Sequence, residues 1–305
     1  MTHLVADRQR ILEELQRYEQ LIASMLDGIE PVEPAHDSAA AVQLDRLRPL
    51  AMREHDPQRA SVAVERLVEL GLSPRLGQMV VVDAAGHHRP VYRPLLVYTW
   101  LAAYRAMYET LSTSNFGRWE EGLRGWCDLL EAELTGILWS AGPIPASQGD
   151  RIAEATWCAL ALHIAGKVFI RDAWTDLASA TFGSLARSQT TSGAFLSTSA
   201  IDNPEPAWFH ELSILHAAAS YAVQAEDRPL AAAVQRATMF HLHETQPDHA
   251  TSQPWGIFAF IWNPATHPLA DQMLHALQLQ QPQQRDSVSL LLLNDALYCL
   301  RLFLK

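Results

Sequence analysis

Basic residues are scarce in this chain: 23 Lys and Arg stand against 34 Asp and Glu, a formal net charge of −11. A chain so short of positive charge lacks the footprint that neutralises phosphates, which argues against nucleic-acid binding and against an anionic membrane surface. Cysteine is nearly absent. Cys127, Cys158 and Cys299 are odd in number, widely separated and without a CxxC spacing, so they read as buried thiols in a reducing compartment, not as a disulfide frame or zinc site. Long apolar runs are missing too. The longest, around Val288–Leu293 and Ala159–Ala165, have the length of core helices, not of a membrane span. The opening turns carry Asp7, Arg8, Arg10, Glu13 and Glu14, unlike a signal peptide. The expectation is a cytoplasmic protein with no membrane span.

Glycine is also thin, at 14 of 305 residues, whereas Ala (44) and Leu (42) are abundant. These are the strongest helix formers, and the chain reads as all-α. Apolar residues at helical spacing predict a first helix over 4–27, followed by a linker through 39. Further helices are expected at 40–54, 58–71, 92–112, 118–138, 150–169, 172–188, 206–225, 228–245, 254–262, 268–280 and 287–304. One segment differs in kind: Val80-Val81-Val82, a turn at Ala85-Gly86 and His87–Tyr92 suggest a small β-hairpin near residues 79–93.

The helices alternate in character. The 118–138 helix has a charged outer face, with Glu120, Glu121, Arg124, Asp128, Glu131 and Glu133. Those at 150–169, 206–225 and 254–262 are apolar nearly all round, and such helices must be surrounded by others. The pattern suits a single α/α-toroid domain over 1–305, about twelve helices in an inner and an outer ring; a stacked solenoid is the competing arrangement.

At the end of the 172–188 helix stands Gln189-Thr190-Thr191-Ser192-Gly193-Ala194-Phe195. This Q-x-x-x-G-x-aromatic run resembles the QW-type repeat of terpenoid cyclase and prenyltransferase toroids, in which the Gln caps a helix and the aromatic packs on the next turn. The helical rhythm as a whole resembles the six-hairpin toroids of glycoside hydrolases and polysaccharide lyases. The resemblance implies a funnel-shaped cleft at one end of the inner ring. It brings no catalytic residue with it: the D-x-D-D acid of the cyclases is missing, and no cysteine accompanies a zinc-ligand cluster as in protein prenyltransferases.

If the surrounded helices run in parallel, the loops that feed them gather on one face, and those loops are the longer and more polar ones. Two are dense in chemistry: Ile201–Glu211 and His241–Trp255. Carboxylates and imidazoles together can serve as general acid and base, which makes Glu211, Asp248 and His249 the acid–base candidates, supported by His210 and His243. Trp208 and Trp255 are candidate exposed platforms for a sugar ring, with Asn203 and Gln253 as polar contacts. Positive helix ends favour an anion, and Arg89, Arg93 and Arg151 fall on the same face to pair with it. Capping and turn formation explain Asn203, Asp248 and Glu211 equally well taken singly; they do not explain the histidines. No metal or other cofactor is expected. His241 and His243 lie about 200° apart around a helix, and a site from His210, His243, Asp248 and His249 is the sole metal alternative. His163 and His216, inside apolar helices, read as satisfied core histidines.

The leading expectation is an enzyme that hydrolyses or eliminates on a small anionic carbohydrate. An isoprenoid-processing toroid and a non-catalytic helical scaffold are the alternatives. The lining of the centre separates them: a wet, Trp-flanked cleft suits sugar, a closed apolar pocket suits isoprenoid, and a filled centre suits the scaffold.

Overall fold

The computed structural model describes residues 2–27, 80–82, 88–90, 93–107, 113–137, 142–198, 205–245, 251–280 and 287–305. The helices expected at 40–54 and 58–71 lie outside them. Among the described residues the chain is 84% helical, with ten α-helices. They are α1 (Thr2–Asp27), α2 (Arg93–Met107), α3 (Thr113–Thr135), α4 (Gly149–Phe169), α5 (Asp172–Ser188), α6 (Glu205–Gln224), α7 (Arg228–Glu244), α8 (Ile257–Trp262), α9 (His267–Leu279) and α10 (Ser287–Leu304). The all-α expectation holds. The hairpin is present as β1 (Val80–Val82) antiparallel to β2 (His88–Pro90). A second pair was not foreseen: β3 (Ile144–Pro145) lies parallel to β4 (Leu196–Ser197).

Helix character alternates as the sequence pattern predicts. Along α4 the run Ala155–Gly166 is buried without a break; the same holds for Glu211–Ala222 of α6, Ile257–Ile261 of α8 and Val288–Leu297 of α10. By contrast α5 buries Trp174, Ala178, Thr181, Phe182 and Leu185, a single stripe at three-to-four spacing. Helices α3, α7 and α9 do likewise with Leu123/Cys127/Leu130/Leu134, Leu230/Ala233/Val234/Ala237 and Ala270/Met273/Leu274/Leu277. Packing explains the difference. Helix α4 touches α2, α3, α5 and α6, and α6 touches α4, α7, α8 and α10, so neither retains a solvent face. The stretch Ala146–Phe169 is long and apolar enough to cross a membrane, contrary to the reading of apolar runs alone, and 83% of the apolar 18-residue window within it is buried inside the helical array.

The termini of the array are tied together. Helix α1 packs on α10 and α8; Tyr18 and Arg17 both donate to Asp271 Oδ1 of α9, at 2.8 and 2.9 Å, and Arg301 of α10 donates to Glu19. The Gln189–Phe195 run forms the turn between α5 and β4. Gln189 Nε2 donates to the carbonyls of Gly193 (2.7 Å) and Ala233 (2.8 Å), which joins the turn to α7, and Phe195 is wholly buried. Gly193 is required there: its φ is +96°, and a Cβ would stand 2.6 Å from the carbonyl oxygen of Arg236.

Candidate functional site

The segments that precede α4, α6 and α8 meet at one end of the array. Pairing of β3 with β4 sets the first two side by side. Gly149, the first residue of α4, lies so close to α6 that a Cβ would meet His210 and Leu196 side-chain atoms at 3.0 Å. The third segment arrives with Trp255, whose ring stands edge-on to Phe209 of α6 at 5.7 Å. The loop convergence expected from the sequence is therefore observed for these three segments.

Glu211 is the residue that ties the second segment down. Its carboxyl is fully buried and accepts the backbone N–H groups of Phe195 (3.1 Å) and Leu196. Burial pushes its pKa up to about 8, against the opposing pull of the Leu196 and Phe195 N–H bonds. A carboxyl so engaged holds a strand in place. His210, its neighbour, is half-buried; burial lowers its pKa, and the nearby Asp150 opposes that shift. Trp208 and Phe209 are also half-buried at this end.

Trp255 departs from the expected exposed platform. It is 3% exposed, its Nε1 donates to Gln253 Oε1 at 2.7 Å, and its ring packs edge-on against Trp157 and His216. The ring is apolar enough to be taken into the core while the adjacent amide satisfies its one donor. Gln253, expected as a ligand contact, is buried in that role. His243 is exposed on the last turn of α7, whereas His241 is buried, as their 200° separation requires. Arg151 is exposed on the first turn of α4, its Nη2 3.5 Å from the Gly136 carbonyl. Asn203, Asp248 and His249 lie outside the described residues, as do the side chains of Arg89 and Arg93.

Beneath Trp255 is a buried polar cluster that the sequence reading did not assemble. Asp295 of α10 accepts three hydrogen bonds: Tyr98 of α2 donates to Oδ1, and Ser220 and His216 of α6 donate to Oδ2, the last at 3.1 Å. The Gly256 N–H donates to His216 Nδ1 at 3.2 Å, which places the ring proton on Nε2, facing Asp295. Gln224 donates to the Tyr98 hydroxyl. Trp157 of α4 stacks on His216 at 5.5 Å and donates to Ser213. Burial and then the Asp295 charge push the Tyr98 hydroxyl and the Cys299 thiol well up. Asp, His and Ser are present, but the wiring is not that of a nucleophile relay. Both Ser220 and His216 donate to the carboxylate, and the second imidazole nitrogen is already an acceptor, so no lone pair remains to take a proton from Ser220. His216 is a satisfied core histidine, as expected. His163 differs: neither ring nitrogen has a hydrogen-bond partner among the described residues. The sequence signal for the cluster was the pair Asn294-Asp295 inside the apolar run of α10; a carboxylate in a surrounded helix needs partners.

Among the described residues no group of three or more His, Cys, Asp and Glu is placed to hold a metal ion. No protein-family model matches the sequence. No curated protein matches it either.

Proposed function

We propose that the chain is an α/α-toroid enzyme with α2, α4, α6, α8 and α10 as its inner ring, acting on a small anionic carbohydrate at the N-terminal end of those helices. The observation that carries this reading is the seating of His210: half-buried where the segments before α4 and α6 meet, near Asp150, with the Phe209 ring edge-on to it at 5.6 Å. An imidazole kept neutral by burial is a general base at neutral pH, and half-exposed aromatic rings suit a sugar face. The N-termini of α4 and α6 supply positive dipole ends for a carboxylate or phosphate, with Arg151 on the first turn of α4. Glu211 takes a positioning role here: it holds the turn that lies against His210. Hydrolysis and β-elimination both need such a base.

A non-catalytic helical scaffold is the second reading, favoured by the close packing of Asp295, His216, Trp157 and Trp255 in the core. The isoprenoid alternative needs a dry apolar cavity in the place where these polar groups stand.

A thermal-shift screen of uronic acids, sugar phosphates and prenyl diphosphates, with and without divalent metal, tests the choice. A uronic acid or sugar phosphate is expected to raise the melting temperature, and Trp208→Ala to abolish the rise. His210→Gln is expected to lower turnover of the responding sugar by about 10²–10⁴-fold. A flat response to every ligand overturns the enzyme reading and leaves the scaffold.

A further inference from the structure

A groove is lined by Thr191, Ser192 and Gly193 of the turn after α5 and by Ala232, Gln235, Arg236 and Met239 of α7, with Asn263. Its volume is about 550 Å³, within the ordinary size of small-molecule sites. Its chemistry has one sign. No acidic residue lines it, in a chain with 34 of them.

The arginine in it is held in place. Arg236 Nε donates to Gln189 Oε1 at 2.9 Å, and Gln189 is itself fixed by donating to the carbonyls of Gly193 and Ala233. Both turn and helix thus set the plane of the guanidinium. Among the described residues Arg236 has no carboxylate partner, and its two terminal nitrogens are left as donors. A planar, pre-set guanidinium matches carboxylate and phosphate oxygens in pairs. The Thr191 hydroxyl and the Gln235 amide add donors to the lining, and Met239 and Ala232 add apolar surface. Gly193 makes the site possible a second time, because only a residue without a Cβ lets the turn approach the Arg236 backbone so closely.

We propose that this groove is a binding site for a small organic anion, its carboxylate or phosphate held by Arg236 and its apolar part against Met239. The Q-x-x-x-G segment thereby does more than cap a helix: its Gln aims the ligand-binding arginine.

Two-dimensional NMR titration of the intact protein with phenyl phosphate, with benzoate and with uncharged benzyl alcohol tests the proposal, and the two anions separate a phosphate from a carboxylate preference. At least one anion is expected to shift the amides of Thr191, Ser192 and Arg236 in a saturable way, and benzyl alcohol is expected to leave them in place. Arg236→Gln is expected to weaken that binding about tenfold or more, and Arg236→Lys, which keeps the charge and loses the fork, by less. Both variants change an exposed side chain, and unchanged amide dispersion elsewhere verifies their fold. The proposal is overturned by equal shifts with benzyl alcohol, by shifts that map elsewhere, or by an Arg236→Gln variant that binds as wild type.

Discussion

Three buried ionisable side chains set how stability depends on pH. Burial lowers His163 to about 4 and His241 to about 3, from an ordinary 6.5. Both are neutral in the folded chain and protonated when unfolded below 6.5, so acid favours unfolding and stability rises as pH climbs toward 6.5. Glu211 works in the opposite direction. Its pKa moves from 4.5 to about 8, so the folded state holds a proton that the unfolded state has released, and stability falls as pH rises toward 8. Between 4.5 and 6.5 the two histidines outweigh the one carboxyl. Urea unfolding midpoints measured from pH 4 to pH 9 are therefore expected to peak near 6.5, and Glu211→Gln to flatten the alkaline side. An alkaline fall as steep in the variant as in wild type would rule out this carboxyl as its source. None of these shifts was visible in the sequence. Glu211 was legible as a carboxylate near a helix start; that it would be sealed against the N–H groups of Phe195 and Leu196 depends on β4, which the sequence pattern did not announce.

Helices are where the sequence was most readable, because an apolar stripe and an apolar cylinder leave different patterns. The stripe of α5 and the all-round burial of α4 were both legible, and their close approach has a chemical cause. A Cβ at Gly166 of α4 would meet Thr175 Cγ2 of α5 at 2.5 Å and the Arg171 carbonyl at 3.0 Å. The obstructing atoms belong to a β-branched side chain and a backbone, neither of which yields easily. Gly166→Ala is expected to destabilise the protein by about 1–3 kcal/mol despite the better helix propensity of alanine, read as a lower urea midpoint. A stabilised variant would mean that α4 and α5 can separate without loss. Short elements were less readable: β3 and β4 are two residues each, too brief for an alternating pattern to register.

At the scale of the whole molecule, four segments far apart in sequence converge on one carboxylate. Asp295 takes donors from Tyr98, His216 and Ser220, and Gly256 completes the imidazole. Removing that carboxylate strands three donors in the core. Asp295→Ala is expected to cost about 3–5 kcal/mol, seen as a loss of several degrees or more in melting temperature, whereas Asp128→Ala on the exposed surface of α3 is expected to change little. Equal effects of the two substitutions would show that the cluster contributes nothing special. Convergence of this kind is invisible to periodicity, since each helix discloses its own face and not which neighbour it meets. The meeting of the segments before α4, α6 and α8 was legible because it needed one assumption only, that the surrounded helices run in parallel.

The three thiols now acquire a use. Cys127 lies in α3, Cys158 in α4 and Cys299 in α10, all buried; burial pushes the first up to about 12 and the other two well above the ordinary thiol range. A thiolate is the reactive species, so each sulfur is silent while its helix stays docked. The chain thus carries three internal timers in different parts of the array, and the rate at which each takes up a thiol reagent reports how often that part opens.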